Sequence, residues 1–173
     1  QVQAVVIATP PYLHAEMLEA ALQAGKHVLL EKPMVASREE ISGVLAAVKA
    51  HPGQIVLEAS CRHARLQPKF RTVKGLIESG KLGRVYHIHH NHLMRTTFVE
   101  YNPAGTWGVE RKLAGGGPFI DWGVYDLSFH LGLLNDAPQL KSMRSFTING
   151  LHNIQRLAPA ADVEQHGAAW MEL

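Results

Sequence analysis

Residues 27–33 read His-Val-Leu-Leu-Glu-Lys-Pro, a short apolar run that stops at a charged pair and a proline. A run of this length, bounded by turn residues, predicts a buried β-strand. A similar run at residues 4–8 ends in Thr9-Pro10-Pro11, and a third occupies residues 54–57. Apolar residues at helical spacing separate the first two runs, and a capping box that opens at Ser37 separates the last two, so each gap is predicted to hold a helix.

Strand, helix, strand, helix, strand with short connections is typical of right-handed crossovers in a parallel sheet. The two helices are predicted at residues 13–24 and 37–50. The chain is therefore predicted to be α/β and to begin with a partial doubly wound, Rossmann-like sheet. Ligands bind such sheets at the carboxyl ends of the strands. Here these ends are Thr9-Pro10-Pro11, Glu31-Lys32-Pro33 and Glu58-Ala59-Ser60.

The pattern changes near Pro68, which indicates a second domain. We predict that residues 1–62 are the C-terminal part of a Rossmann-like nucleotide-binding domain, and that residues 63–173 are an incomplete α+β substrate domain. The elements predicted in the second part are a helix at 69–79, a strand at 85–93, a long loop at 94–114, one helix at 118–134 and a strand at 140–149. No clear period follows residue 151.

Composition excludes several classes of partner. The 17 Lys and Arg and the 15 Asp and Glu leave a net charge of only +2, so neither a nucleic-acid footprint nor a basic membrane-binding face is predicted. The single cysteine, Cys61, forms no internal disulfide framework and suits a reducing compartment. No apolar run approaches the roughly 18 residues of a transmembrane helix. We expect a cytoplasmic protein, and the question of a targeting signal ahead of Gln1 stays open.

Three motifs occur in a fixed order along the chain. The strand end Glu31-Lys32-Pro33 comes first, the segment at residues 76–83 (Leu-Ile-Glu-Ser-Gly-Lys-Leu-Gly) comes second, and Gly115-Gly116-Gly117 followed by Asp121-Trp122-Gly123-Val124-Tyr125 comes third. Together they resemble the Gfo/Idh/MocA oxidoreductase family over roughly residues 4–150. The resemblance implies NAD or NADP as cofactor, a small sugar or polyol as substrate, and a homo-oligomer in the full-length protein.

Oxidising a sugar hydroxyl by hydride transfer requires a base for the hydroxyl proton. The resemblance implies Lys32 for this role, with Asp121 orienting the lysine and Tyr125 assisting as a proton donor. Many members of the family have histidine where this chain has Tyr125, which changes the acid more than the reaction class. From its position alone, Lys32 is explained as well by a solvated lysine as by a catalytic one.

A rival pair, Asp126 and His130, has the same four-residue spacing as Asp121 and Tyr125. Residues four apart share one face of a helix, so spacing alone does not choose between the pairs. The resemblance favours Asp121 and Tyr125. It leaves Asp126 and His130 to packing or to pairing with each other on another face.

The resemblance also implies a cofactor site at the ends of the first two strands. The implied residues are Thr9, Pro10, His14, Glu31, Lys32 and Pro33. The alternative is a plain turn followed by an exposed helical histidine. Candidate substrate residues are Arg62, His63, Tyr101 and Trp107. A structural hinge explains Arg62 and His63 equally well. Tyr101 and Trp107 would stack on a sugar ring, although aromatic residues in loops more often anchor packing.

Four histidines lie within six residues, at positions 87, 89, 90 and 92. Imidazole is the commonest metal ligand in proteins. On a strand, however, His87 and His89 point one way while His90 and His92 point the other, so each face offers two ligands. A zinc site needs three or four. The sequence therefore predicts no metal site here, but a solvated or interface-facing surface.

The glycine-rich turn and the acidic residue that selects the ribose in this family precede the first strand, and neither is in the chain. The sequence therefore does not choose between NAD and NADP. We expect the chain by itself to bind the dinucleotide weakly and to be inactive. The leading interpretation is part of an active oxidoreductase. The alternatives are a non-catalytic ligand sensor or scaffold of the same fold, and a histidine-based metal module.

Overall fold

The computed structural model describes residues 2–94, 96, 98–150 and 153–173, with the side chains of Cys61 and Tyr101 outside the described set. A parallel sheet with its helices comes first, and short helices with an antiparallel strand pair follow. The predicted fold class, a partial Rossmann-like sheet followed by an α+β part, is confirmed. Within the described residues, no helix is both long and apolar enough to cross a lipid bilayer.

The N-terminal sheet has three parallel strands in the order β1-β2-β3. The strands are β1 (Ala4–Ile7), β2 (His27–Leu30) and β3 (Val56–Glu58), and the helices between them are α1 (His14–Gln23) and α2 (Arg38–Ala50). A single 3-10 turn, Pro11–Leu13, leads into α1. The register pairs Ile7 with Leu30, and Leu30 with Glu58, so the strands end at one common edge of the sheet.

Only one face of this sheet is covered by helices among the described residues. The core on that face consists of Ile7, Leu18, Leu22, Val28, Leu30 and Val44. The opposite face presents Val6, Leu29 and Leu57, which the register places side by side and which are 67%, 39% and 49% exposed. Successive side chains of a strand alternate between faces, so this row is the counterpart of the buried one.

The second part of the chain is built from short elements. They are α3 (Ser60–Ala64), α4 (Pro68–Glu78), α5 (Phe98–Tyr101), α6 (Arg111–Ala114), α7 (Pro118–Asp121), α8 (Gly123–Leu133), β4 (Ser142–Ile148) and β5 (His166–Glu172). Helix α3 packs against α8, which joins the sheet to the second part. The predicted domain boundary at residues 62 and 63 lies inside α3, and it stays a prediction.

The predicted strand at residues 85–93 is wrong. Residues 85–94 form no strand and make no backbone hydrogen bonds to a strand within the described ranges. Strand residues are stabilised by pairing their N–H and C=O groups with a neighbouring strand, and the part of the chain that the structure describes pairs no strand with this segment. Most side chains of the segment are exposed, and Tyr86 is 91% exposed.

Three further differences concern the C-terminal half. The predicted loop at 94–114 contains α5, a 3-10 turn at Thr106–Val109 and α6, while the predicted helix at 118–134 is divided at Trp122 into α7 and α8. The strand predicted at 140–149 is present as β4. Its antiparallel partner β5 was not predicted, because His166-Gly167-Ala168-Ala169 lacks the β-branched residues that mark strands.

Candidate active site

Lys32 lies in the loop that follows β2, where its ammonium contacts both the backbone carbonyl and the carboxylate of Asp121. The lysine side chain is only 12% exposed. Its Nζ lies 4.9 Å from the centroid of the Tyr125 ring and 5.7 Å from that of Trp122. A cation between a carboxylate and two aromatic faces is held in a defined position. This environment differs from that of a solvated surface lysine.

The hydrogen-bond ladder of the predicted helix is interrupted at Trp122, beside this contact. In a continuous α-helix, the N–H of Tyr125 would donate to the carbonyl of Asp121, four residues back. That carbonyl instead accepts the Lys32 ammonium, and the Tyr125 N–H donates to the carbonyl of Trp122 at 2.9 Å. The interruption therefore places Asp121 at the end of one short helix and Tyr125 in the first turn of the next.

The glycine run before α7 permits close packing that side chains would prevent. Gly115 has φ +85° at the end of α6, and a Cβ atom on it would lie 2.8 Å from the backbone oxygen of Ala36. A Cβ atom on Gly117 would lie 2.0 Å from the backbone oxygen of Glu164. The glycine run therefore allows the start of α7 to pack closely between the backbone at Ala36 and the backbone at Glu164.

Glu164 holds the start of α7, and sequence reasoning missed it. This glutamate is 3% exposed, and its Oε1 accepts hydrogen bonds from the backbone N–H groups of Gly117 at 2.9 Å and Phe119 at 3.3 Å. Its Oε2 lies 3.1 Å from the guanidinium of Arg111. A carboxylate at a helix start satisfies otherwise unpaired N–H groups. Glu164 therefore positions the four-residue helix that ends at Asp121.

Tyr125 is buried, and two α3 residues reach it. Arg62 donates to the Tyr125 hydroxyl at 3.4 Å and forms an ion pair with Glu31 at 2.8 Å. His63 packs edge-on against the Tyr125 ring, with centroids 5.0 Å apart. Lys32 faces the ring of Tyr125 while the hydroxyl faces Arg62. Both α3 candidates thus contact predicted site residues.

A cleft of about 340 Å³ lies at the carboxyl ends of β1 and β2. The predicted site residues that line it are Thr9, Pro10, Glu31, Lys32, Pro33, Trp107 and Asp121. Trp107 also packs on Phe98, with ring centroids 5.4 Å apart, so it anchors the loop as well as lining the cleft. The side chain of Tyr101, the other predicted aromatic, lies outside the described residues.

His14 has a different position from the one expected of a cofactor contact. It is fully buried, and its two ring nitrogens each lie 2.8 Å from a carbonyl oxygen, one of Thr9 and one of Pro33. Both nitrogens are therefore engaged within the protein. His14 connects the loop after β1 to the loop after β2 and does not line the cleft.

A second cavity, of about 420 Å³, adjoins Tyr125 and Trp122. His90 and His92 face it together, and both lie against the carboxylate of Asp126. Packing, or a pair between Asp126 and His130, was expected; in the structure the Nε2 of His130 lies 2.9 Å from the Nδ1 of His90, and its ring packs on Phe129. Burial, with His90 next to it, lowers the pKa of His130.

Comparison with known proteins matches the two parts of the chain to two family profiles. Residues 1–58 match the profile described as "Oxidoreductase family, NAD-binding Rossmann fold", and residues 70–173 match the profile described as "GFO/IDH/MocA C-terminal domain". The chain belongs to the Gfo/Idh/MocA family of oxidoreductases. The family resemblance predicted from the three motifs is thereby confirmed, and the profile that matches the first part is that of an NAD-binding Rossmann fold.

Curated relatives are similar over most of this chain but are much longer. A 1,5-anhydro-D-fructose reductase from Ensifer adhaerens is 34% identical over 79% of the chain and 39% of its own length. A D-xylose 1-dehydrogenase [NADP(+)] from Haloarcula marismortui is 30% identical over 78% of the chain and 36% of its own length. The chain thus spans well under half the length of these Gfo/Idh/MocA relatives.

Solved structures show the same fold. An inositol dehydrogenase homolog complexed with NAD+ from Azotobacter vinelandii has a TM-score of 0.77 at 27% identity, covering 98% of this chain and 42% of that one. An aldose-aldose oxidoreductase from Caulobacter crescentus complexed with glycerol has a TM-score of 0.73 at 26% identity, covering 98% and 47%.

The cleft fits part of a nicotinamide dinucleotide, the cofactor class of this family. It lies at the carboxyl ends of parallel strands, where nucleotides bind in doubly wound folds. Its lining is mostly apolar, with Glu31, Lys32 and Asp121 as the charged groups. The Glu31 carboxylate forms an ion pair with Arg62 and accepts a hydrogen bond from the backbone N–H of Lys32. A carboxylate has further lone pairs that can accept hydrogen bonds from ribose hydroxyls.

Proposed function

We propose that this chain is part of an NAD(P)-dependent enzyme that transfers hydride between a sugar or polyol carbon and nicotinamide. The observation that carries the proposal is the Lys32–Asp121 contact at the carboxyl edge of the parallel sheet, inside the cleft that suits the cofactor. The names of the relatives, a sugar-derived ketone reductase and a xylose dehydrogenase among them, support this substrate class.

The proposed proton transfer uses side chains that the structure brings together. In the oxidation direction, the Lys32 ammonium first releases a proton to solvent, and the resulting amine accepts the substrate hydroxyl proton while the carbon-bound hydrogen leaves with its electron pair, so that the alcohol becomes a carbonyl. Asp121 orients Lys32 through its carbonyl and carboxylate. Tyr125 assists as a proton donor. Its hydroxyl, on the side of the ring away from Lys32, accepts a hydrogen bond from Arg62. The nicotinamide, when bound, supplies the two-electron chemistry.

Cofactor contacts are proposed for the residues that line the cleft. The turn at Thr9 and Pro10 would border the cofactor backbone, and Glu31 would accept hydrogen bonds from a ribose. His14 would act indirectly, since it joins the loops that carry Thr9 and Pro33. Trp107 would contact the substrate or the nicotinamide from the loop side of the cleft.

The test is hydride transfer by the full-length gene product, measured as reduced-nicotinamide absorbance over a panel of aldoses, inositols and anhydrosugars with NAD and with NADP. Replacing Lys32 with Met should lower turnover by roughly 10²–10⁴-fold, the usual contribution of a positioned proton acceptor. Cofactor affinity, measured by fluorescence titration, should change little. The matched control is Lys49→Met, because Lys49 is exposed in the last turn of α2.

Two outcomes would contradict the proposal. Undiminished turnover in Lys32→Met would remove the lysine from its role. Ligand and cofactor binding without turnover by the unaltered protein on any substrate of the panel would favour the non-catalytic sensor or scaffold.

We further propose that the enzyme works in the cytoplasm as a homo-oligomer and that its two domains meet near residue 62. The single cysteine suits a reducing compartment. Light scattering of the full-length gene product tests the oligomeric state, and limited proteolysis near α3 tests the boundary. A monomer, or cleavage confined to other regions, would contradict the respective expectation.

A further inference from the structure

Three metal-ligating side chains converge beside the second cavity, from two separate parts of the chain. His90 and His92 come from the extended segment after α4, and Asp126 comes from α8. One ligand atom from each lies within 4.8 Å of the others. The Nε2 of His90 is 3.3 Å from Oδ1 of Asp126, and the Nδ1 of His92 is 3.0 Å from Oδ2.

The two imidazole–carboxylate separations match those between ligands of one metal ion. Zinc binds nitrogen and oxygen ligands at about 2.0–2.1 Å, which places two ligand atoms of a tetrahedral site roughly 3.3 Å apart. Two imidazoles and one carboxylate are the donor set of open transition-metal sites, which keep further positions for water or a ligand. We propose that His90, His92 and Asp126 form a binding site for a divalent transition-metal ion of the zinc, cobalt and nickel class.

The sequence prediction of no metal site counted only the histidines. Alternation along the segment does put His90 and His92 on one side, as that argument required. The third donor, Asp126, lies 34 residues after His92 and was assigned to packing or to a pair with His130. Counting ligands per strand face cannot include a donor supplied by a neighbouring helix.

Neighbouring side chains hold two of the ligands in place. The Nε2 of His130 lies 2.9 Å from the Nδ1 of His90, and their rings meet edge-on with centroids 4.9 Å apart. When His90 binds a metal through Nε2, its Nδ1–H donates to His130, as outer-shell partners of metal-bound histidines do. The ring of His92 packs edge-on against Trp122, with centroids 5.1 Å apart.

The position of the site suggests how the ion would be reached. All three ligands line the cavity of about 420 Å³ that also borders Tyr125 and His63, so its open coordination positions have room for water or for an oxygen ligand. Trp122 contacts both His92 and Lys32, which places the metal site and the proposed reaction centre next to each other.

The competing explanation is a hydrogen-bonded cluster, in which both imidazoles donate to Asp126 and no ion binds. The two explanations differ in stoichiometric metal affinity, which does not depend on hydride transfer. Tag-free, chelator-treated chain is titrated with Zn²⁺ by calorimetry and with Co²⁺ by visible absorption. The proposal expects one ion per chain and a cobalt d–d band.

Variants assign the binding to these residues. His90→Gln, His92→Gln and Asp126→Asn should each weaken Zn²⁺ binding by more than about 100-fold and remove the cobalt band, since losing a direct ligand costs more than the roughly 10–100-fold lost with a residue that only hydrogen-bonds a ligand. The matched control is the His87→Gln, His89→Gln double variant, which alters the same segment at positions outside the three-ligand group and should bind as the unaltered chain does. Circular dichroism checks that each variant is folded.

The absence of stoichiometric binding by the unaltered, folded chain would overturn the proposal and leave the hydrogen-bonded cluster. Binding that is lost in the His87/His89 control would overturn it as well, because the ion would then sit on the other pair of histidines. Titration of the unaltered chain decides the first point without any variant. The proposal can therefore be refuted even if a variant fails to fold.

Discussion

Removal of the Glu164 side chain should destabilise the protein and displace Asp121, although the two residues do not touch in the contacts described here. Glu164 accepts hydrogen bonds from the N–H groups of Gly117 and Phe119, which open the helix that ends at Asp121. Glu164→Ala leaves these donors without their acceptor in a buried place. Glu164→Gln keeps an oxygen that can accept both bonds but removes the charge.

The magnitude follows from the burial of the carboxylate, whose side chain is 4% exposed. Each unsatisfied buried donor costs about 1–3 kcal/mol. The lost pair with Arg111 adds little, because the arginine is 52% exposed. We expect Glu164→Ala to lower the free energy of unfolding by about 3 kcal/mol, allowing for partial rehydration of the donors. Glu164→Gln should cost about 1 kcal/mol, mainly through the lost charge at the helix start.

Thermal and urea denaturation, followed by circular dichroism, measure these differences. At about 2–4 °C per kcal/mol for a chain of this size, the alanine variant should melt roughly 6–12 °C lower. Glu19→Ala is a suitable control, since Glu19 lies on α1 with only an exposed hydrogen bond to Gln23. An alanine variant within about 0.5 kcal/mol of the unaltered chain, the usual range of surface substitutions, would refute the role assigned to Glu164.

Three further predictions concern packing and pH. Gly117→Ala should cost about 3 kcal/mol or more, because its Cβ would lie 2.0 Å from the backbone oxygen of Glu164. Gly75→Ala, a helical position with nothing within 4 Å, should instead stabilise by about 0.5–1 kcal/mol, and denaturation midpoints measure both. The hydrogen bond from Arg65 lowers the pKa of Asp136, so the pair stabilises the fold above the usual aspartate range and loses this effect as pH falls through the lowered pKa. The stability difference between Arg65→Met and the unaltered chain should therefore shrink below about pH 4; a difference independent of pH would contradict this.

The N-terminal half could be predicted because its signals are local. Short apolar runs that end in turn residues mark β1 and β2, and the capping box at Ser37 is present as expected, with Glu40 accepting from the Ser37 N–H at 2.9 Å. Parallel strands joined by right-handed crossovers then bring their ends to one edge. Lys32 and the Thr9 turn therefore share a cleft for reasons that the sequence contains.

The parts that failed depend on distant neighbours. Residues 85–93 alternate like a strand, but a strand exists only with a pairing partner, and the described residues offer none. Glu164 reaches Gly117 across 47 positions, and no periodicity marks a buried glutamate in an irregular tail. The pair Asp126 and His130 was weighed against Asp121 and Tyr125 for one site, whereas the structure gives the two aspartates different partners, His90 for Asp126 and Lys32 for Asp121.

The division of the predicted helix at Trp122 connects these failures to the chemistry. In a helix that continued through Asp121, the carbonyl of that residue would also accept within the helix's own hydrogen-bond ladder, and Lys32 would share this oxygen with a backbone N–H. With the ladder interrupted, the ammonium contacts two oxygens of one residue, one from the backbone and one from the side chain. Glu164 and the glycine run place the short helix that makes this possible. The position of the proposed proton acceptor therefore depends on tertiary contacts that no single motif encodes, and a substitution that restored a continuous helix would be expected to loosen Lys32 without altering any residue that touches it.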